Sequence, residues 1–389
     1  MHVGVDACCW LNRRGYGRHA RSLFEALLRI DTKNRYTMVV DSPEAVPLLP
    51  AAAEALVVAA GGTAVQAASA DGRRSLSYAW RMGRAIAGGG FDLLIFPTVY
   101  TFVPVPSRAP KIVFIHDVIP ETFPELTTPG LSARLWWRTK VLTGIGMAEL
   151  IVTVSEVARE GIVRRFGVDP DRVKVAGEAA DPVFRLLEHA APTEKLLSLG
   201  FDASRRHVVH VGGFSPHKNL ATLLEAFQRL AASPEFDDCV LWLVGDTEGD
   251  TFLTEVCPLR ARSASAGLES RVVFTGFLPD QDLVSLLNLA SVLAMPSLME
   301  GFGLPAMEAA QCGCPVIAAA SNPAARMLGE GALLVDPPDA KSLEGALRRV
   351  LVSGSLRASM GKAARDASGS VSWDAAARAL LGNMELLRP

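Results

Sequence analysis

Two glutamates, Glu300 and Glu308, bracket a glycine turn in the run Met295-Pro-Ser-Leu-Met-Glu300-Gly301-Phe302-Gly303-Leu304-Pro305-Ala306-Met307-Glu308. The run reads as a strand end, a tight turn and a helix start, because Pro305 fits a first helical turn, where a missing N–H costs nothing. Gly301 and Gly303 let backbone amides come close to a ligand, and a helix N-terminus carries partial positive charge. With Phe302 and Leu304 between and after them, they form an anion site suited to a diphosphate. One carboxylate can reach a sugar near the loop, the other a group beside the helix. The plain alternative is a glycine turn with two surface carboxylates.

A second constellation is His210-Val-Gly-Gly213-Phe-Ser-Pro-His217-Lys218-Asn219. A lysine after a strand and a glycine pair can neutralise a departing diphosphate, since a fixed cation counters charge that develops as a bond breaks. The segment is no Walker loop, lacking the glycine-spaced GK[ST], and a solvated surface lysine is the competing reading. Near the start, Asn12-Arg13-Arg14-Gly15-Tyr16-Gly17-Arg18-His19-Ala20 opens a helix. Its letters also fit the dinucleotide fingerprint G-x-G-x-x-A, with Asp41 at the spacing of a ribose-binding acid. Against that, Trp10 to Arg14 intervene between strand and glycines. His116-Asp117 closes a buried strand, and the carboxyl end of such a strand is a site edge, although a lone histidine also serves structure.

These residues need elements to hold them. Short apolar runs at Val3–Ala7, Tyr36–Val40, Leu93–Phe96, Lys111–Ile115 and Leu150–Val154 alternate with helical patterns such as Arg18–Ile30. A second series follows at Val208–Val211, Val240–Val244, Val272–Thr275, Val292–Met295 and Val316–Ala318, with helices at Ala221–Ala232 and Ala340–Val352. Consecutive apolar positions suit strands buried on both faces of a parallel sheet, and the alternation predicts two doubly wound α/β domains. Residues 1–190 form the first and 204–370 the second, with a linker from Leu186 to Arg206 and a final helix within 371–389 that packs back on the first. The Ala51–Ala70 segment reads as helix and loop.

The chain has 389 residues, 49% hydrophobic, with a net charge of −2, which argues against a nucleic-acid wrapper. Mean hydropathy is +0.24, yet neither of the two most apolar stretches gives the roughly 20 apolar residues of a spanning helix. The opening residues lack the pattern of a secretory signal. The six cysteines form no zinc or CxxC spacing, so they read as buried filler in a reducing cytoplasm. The helix carrying Arg134-Leu-Trp136-Trp137-Arg138-Thr-Lys140 is either a headgroup or sugar surface or an inward-packed tryptophan pair with solvated cations.

The Glu300 to Glu308 run, continuing through Ala310-Gln-Cys-Gly-Cys-Pro315-Val-Ile-Ala, resembles the Glu-x(seven)-Glu signature of retaining glycosyltransferase family 4. The resemblance implies a GT-B fold, two Rossmann-like domains facing an interdomain cleft. It implies that Glu300 binds donor-sugar hydroxyls and Glu308 the nucleotide ribose. Gly213, His217 and Lys218 match the family's diphosphate loop, except that an arginine common at Gly213 or His217 is missing; Arg326 is the candidate replacement. Phe277, in Val272-Val-Phe274-Thr275-Gly276-Phe277, matches the base-binding strand end or else belongs to the core. Gly15 and Gly17 match the loop that approaches the diphosphate, with Arg13, Arg14, Tyr16 and Asp117 on the acceptor side. His116 would contact the donor sugar near the bond being cleaved, as in members of bacterial polysaccharide assembly that use GDP-mannose.

The resemblance thus implies a retaining, metal-independent hexosyltransferase with no cofactor beyond its substrate, a GDP- or UDP-sugar. Its acceptor would be a hydroxyl of a glycan, a lipid-linked or a small molecule, and its place the cytoplasm, with peripheral contact to the inner membrane as a further option. A GT-B epimerase or phosphorylase, and a nicotinamide oxidoreductase, are the competing classes.

Overall fold

The computed structural model describes the chain except residues 13–14, 60–74, 129, 248–252, 337 and 389, so Arg13 and Arg14 lie outside the described residues. The chain divides into two compact units, one of residues 1–178 with 372–389, the other of residues 179–371.

The first unit is built on a seven-stranded sheet of β1 (His2–Asp6), β2 (Arg35–Val40), β3 (Glu54–Val57), β4 (Leu93–Phe96), β5 (Lys111–Phe114), β6 (Leu150–Thr153) and β7 (Val173–Val175). Its order is β3-β2-β1-β4-β5-β6-β7, and every pairing is parallel. β4, β5 and β6 are buried at every position, which is why their sequences are unbroken apolar runs rather than alternating ones. The chain steps from β1 towards β3, then returns across the sheet to β4, so its direction reverses between β1 and β4. That switch point is where an open parallel sheet receives ligands, outside its carboxyl ends.

The second unit repeats the device with β8 (Arg206–Val211), β9 (Cys239–Val244), β10 (Val272–Gly276), β11 (Val292–Met295), β12 (Val316–Ala319) and β13 (Ala332–Val335). The order β10-β9-β8-β11-β12-β13 is again wholly parallel, and its switch point lies between β8 and β11. The helix Leu220–Ala231 buries Leu220, Leu223, Leu224, Phe227 and Leu230 against this sheet. That 3.6-residue stripe contributes about 1.5–3 kcal/mol for each large side chain removed from water.

Three strands escape the sequence expectation: β3, β7 and β13. All three are the outermost strands of their sheets, short, and in β3 and β13 mostly not buried, so they lack the long apolar run that marks a central strand. Glu54–Val57 also corrects the first part of the reading of Ala51–Ala70 as helix and loop, residues 60–70 lying outside the described residues. The division of the chain falls after Glu178 rather than in Leu186–Arg206. That segment belongs to the second unit, where the Leu187 amide donates to Asn288 Oδ1 at 2.8 Å, Ser285 Oγ donates to the Ala191 carbonyl at 2.6 Å, and Leu196 is fully buried. Residues 372–389 lie with the first unit: Ser372 caps the helix Trp373–Glu385, Arg29 pairs with Asp374, and Tyr36 Oη meets the Met384 sulfur at 3.9 Å.

Candidate functional site

In the second unit the two strands flanking the switch point each deliver a charged residue. Lys218 follows β8 and Glu300 follows β11. Although 82 positions apart in sequence, they meet, with Lys218 Nζ donating to both oxygens of Glu300 at 2.8 and 2.9 Å. Only 19% of the lysine side chain and 9% of the glutamate are exposed. Burial alone would push the Glu300 carboxyl up, but the ammonium beside it outweighs that and holds it below the ordinary carboxylate range. Glu300 is therefore charged, oriented and able to accept hydrogen bonds from sugar hydroxyls.

His217, next to Lys218 in the loop, is not a second cation. Burial, with Lys218 adjacent, pushes its imidazole down to about 4, so it is neutral near pH 7 and is a hydrogen-bonding group only. Its Nδ1 is buried without a hydrogen-bond partner among the described residues. Arg326 sits exposed on the short helix Pro323–Met327. The left-handed backbone of the loop falls on Gly212, at φ 153°, rather than on Gly213. Gly245 lets the two loops touch, since a Cβ there would stand 2.0 Å from the Gly212 carbonyl oxygen.

The glycine turn after Glu300 is just as constrained. Gly303 has φ 102° and caps the helix Leu304–Gln311, with Pro305 in its first turn. A Cβ on Gly303 would lie 2.6 Å from Asn322 Oδ1, the atom that accepts the Ala325 amide at 2.9 Å and caps the next helix. Gly301, Phe302 and Leu304 are buried around it, and Glu308, one turn along the helix, is 4% exposed. The two glutamates are thus not surface carboxylates. Phe277, by contrast, is 48% exposed just past β10, which removes it from the core.

In the first unit, Gly15 opens the helix Gly15–Ile30 with nothing among the described residues near its missing Cβ, whereas a Cβ on Gly17 would stand 2.1 Å from the Asn12 carbonyl oxygen. Gly17 is therefore required by packing of the loop, which Arg21 also ties down by donating to the Trp10 and Asn12 carbonyls at 2.5 and 2.7 Å. Tyr16 stacks inward on Tyr100, rings 5.1 Å apart, and is 9% exposed, which corrects its expected place facing an acceptor. Asp117 Oδ1 accepts the Ile119 amide at 2.9 Å, a turn-forming bond. Asp41, the acid that a dinucleotide would need, is 9% exposed and accepts from Tyr78 Oη at 2.6 Å.

His116 stands past the end of β5 with its Nε2 2.9 Å from the Pro97 carbonyl oxygen and its Nδ1 3.6 Å from Glu178 Oε1. His19 is fully buried, edge-on to His116 with ring centroids 4.6 Å apart, and its Nε2 lies 3.9 Å from the same oxygen. Sequence reasoning missed both His19 and Glu178. The rule that marked His116, position just past a parallel strand's carboxyl end, also marks Glu178 after β7. Close by, burial pushes the Glu121 carboxyl up to about 7 although Trp137 Nε1 donates to it at 2.7 Å. Trp137 thus packs inward, whereas Trp136 is half-buried and Arg138 exposed.

A family model described as "Glycosyl transferases group 1" matches residues 194–367, and one described as "Glycosyltransferase Family 4" matches residues 13–182. The serotype-specific mannosyltransferase WbdA of Escherichia coli is 26% identical over 259 residues, 66% of this chain and 31% of that protein. The O-antigen chain mannosyltransferase B of Escherichia coli is 27% identical over 257 residues, 65% of this chain and 64% of its own. The match therefore spans about one third to two thirds of these relatives' length. Among solved structures, sucrose-phosphate synthase from Thermosynechococcus elongatus superposes with a TM-score of 0.76 at 19% identity, over 100% of this chain and 99% of that one. That likeness is one of fold.

Proposed function

The chain belongs to the GT-B glycosyltransferases in which a family 4 domain precedes a group 1 domain, and we propose that it moves a hexose, mannose foremost, from a nucleoside-diphosphate sugar to a hydroxyl of a glycan, lipid-linked or small-molecule acceptor. The observation that carries this reading is the Lys218–Glu300 pair across the switch point of the second sheet, beside the helix that Gly303 opens. The mannosyltransferase names of both E. coli relatives support the sugar.

In the reaction we propose, Glu300 orients the sugar, Glu308 holds the ribose, and Lys218 with the amides of the Gly303 turn stabilises the charge that collects on the departing diphosphate. The acceptor attacks from the face that the diphosphate leaves, and a phosphate oxygen takes its proton, so the anomeric configuration is retained and no divalent cation is required. In the first unit, His116 and the helix that Gly15 opens stand at the carboxyl ends of its own sheet, where an open parallel sheet receives a ligand. Asp41 and Gly17, each occupied by the fold itself, weigh against a nicotinamide site.

The test is a thermal-shift screen of GDP-, UDP-, ADP- and TDP-sugars, followed by NMR of the product. One donor raises the melting temperature, transfer proceeds in the presence of EDTA, and the product keeps the donor's anomeric configuration. Glu308→Ala weakens that donor by about 1.5–3 kcal/mol, the worth of a hydrogen bond to a charged group. An inverted product, or hydrolysis or epimerisation with no acceptor, would contradict the reading.

No helix among the described residues is long and apolar enough to cross a membrane, and the association we propose is peripheral. The connections β3 to β4 and β5 to β6 step in the same direction along the sheet, so right-handed crossovers place the helices Leu76–Ala87 and Leu131–Met147 on one face. Both pack on the loop between β4 and β5: Gly83 against Pro104 and Gly144 against Val99 and Phe102. Outward they display Leu76, Trp80, Leu131, Leu135 and Leu142, together with exposed Arg81, Arg84 and Arg138, and neither helix holds an acidic residue. Apolar side chains ringed by cations fit an anionic bilayer surface. The chain should sediment with phosphatidylglycerol vesicles and not with phosphatidylcholine alone, and Leu131→Ser with Leu135→Ser should weaken binding about tenfold or more. Equal binding to both vesicles, or self-association through this face, would contradict the assignment.

A further inference from the structure

Past the carboxyl ends of the first sheet lies a cluster that the reading above leaves without a role: His116 after β5, Glu178 after β7 and His19 from the first helix. A carbonyl oxygen can only accept, so the 2.9 Å contact with Pro97 places an N–H on His116 Nε2. If that were the only ring proton, the lone pair of Nδ1 would face Glu178 Oε1 at 3.6 Å, a repulsive arrangement in a buried place. A second N–H on Nδ1 turns it into an ion pair.

We propose that Glu178 is a positioning residue for sugar transfer: its carboxylate, set against Nδ1 while Pro97 takes Nε2, fixes the His116 ring as a double N–H donor at the ligand edge of the first sheet. The role rests on the glycosyl-transfer reading. Glu178 and His116 are 62 positions apart, and only the order β5-β6-β7 brings their loops to one edge.

Among the described residues, the titratable groups facing His116 are Glu178, Asp117 next to it in the chain, and His19 from the first helix. Burial works against protonating His116, but Glu178, with lesser help from the Pro97 carbonyl and Asp117, outweighs it and holds the ring above the ordinary histidine range. His19 goes the other way. Full burial, then the neighbouring His116, hold it well below that range, so of the two imidazoles His116 is the one that takes a proton first. A fixed imidazolium at this edge of the first sheet favours an anionic ligand group there. Since the ring is charged below its own titration and neutral above it, transfer should decline as pH rises through that point.

The experiment uses the full chain with 13C-labelled histidine, the His116 signal being assigned by its loss in His116→Gln. In the wild type the His116 signal titrates above an ordinary histidine. In Glu178→Gln its midpoint falls by about one pH unit or more, and Glu178→Asp, which keeps the charge, recovers part of the difference. The alkaline limb of the kcat profile moves with the midpoint in each variant, while the donor KM changes little.

An unmoved midpoint in Glu178→Gln, or a moved midpoint with an unchanged kcat profile, would overturn the role. So would a stoichiometric divalent cation found in the purified wild type and lost in Glu178→Gln, because an ion rather than a proton would then join the three side chains. Absence of any sugar transfer by the wild type, with the His116 titration still tied to Glu178, would instead overturn the glycosyl-transfer reading beneath it.

Discussion

Replacing Lys218 with alanine lowers kcat about 100- to 1,000-fold, the usual effect of removing one preorganised group from a developing negative charge. The geometry explains the size. Lys218 is held on the first loop past β8 by Glu300 across the switch point, so its charge is in place before the reaction and needs no rearrangement. The substitution also strands Glu300: burial, no longer opposed by the ammonium, favours its protonated form, and sugar orientation is lost as well. Destabilisation stays below the about 3–5 kcal/mol of a broken, fully buried pair, because 19% of the lysine side chain meets solvent. Steady-state kinetics at saturating donor read the effect. A variant with wild-type kcat and only a raised acceptor KM would remove Lys218 from the diphosphate.

The second large effect belongs to Gly303→Ala. A side chain at φ 102° is strained by about 1–3 kcal/mol. The added Cβ also drives into Asn322 Oδ1, 2.6 Å away, and displaces a helix cap worth about 1 kcal/mol. The sum is about 2–4 kcal/mol of stability, read as a lower denaturant midpoint. More telling, the turn must shift, so the amides proposed to hold the diphosphate move with it and the donor no longer raises the melting temperature. A Gly303→Ala chain as stable as the wild type and equally responsive to donor would show that the turn is not the anion site.

Much of this was legible in the sequence because central strands and helix starts are local. β4 and β11 run apolar from end to end, and Gly303-Leu304-Pro305 announces a turn and a helix from residue types alone. The edge strands were not legible, since three or four half-exposed residues carry no period. Tyr16 and Gly17 resembled ligand-facing loop residues, yet Tyr100 and the Asn12 carbonyl claim them from 84 and 5 positions away. The Lys218–Glu300 pair depends on strand order, which no local pattern encodes: each residue was visible alone, their contact was not. Glu178 lay hidden for the same reason, one carboxylate after a three-residue strand with its partners in another loop and in the first helix.

The central claim is that the second unit's switch point holds the diphosphate of a nucleotide-bound sugar. The most direct measurement is a crystal structure of the wild type soaked with the nucleoside diphosphate that stabilises it most. The account predicts phosphate oxygens about 3 Å from Lys218 Nζ and from the amides that open the helix Leu304–Gln311, with the ribose at Glu308. A nucleotide bound elsewhere, with Lys218 and Glu300 paired and untouched by it, would contradict the account.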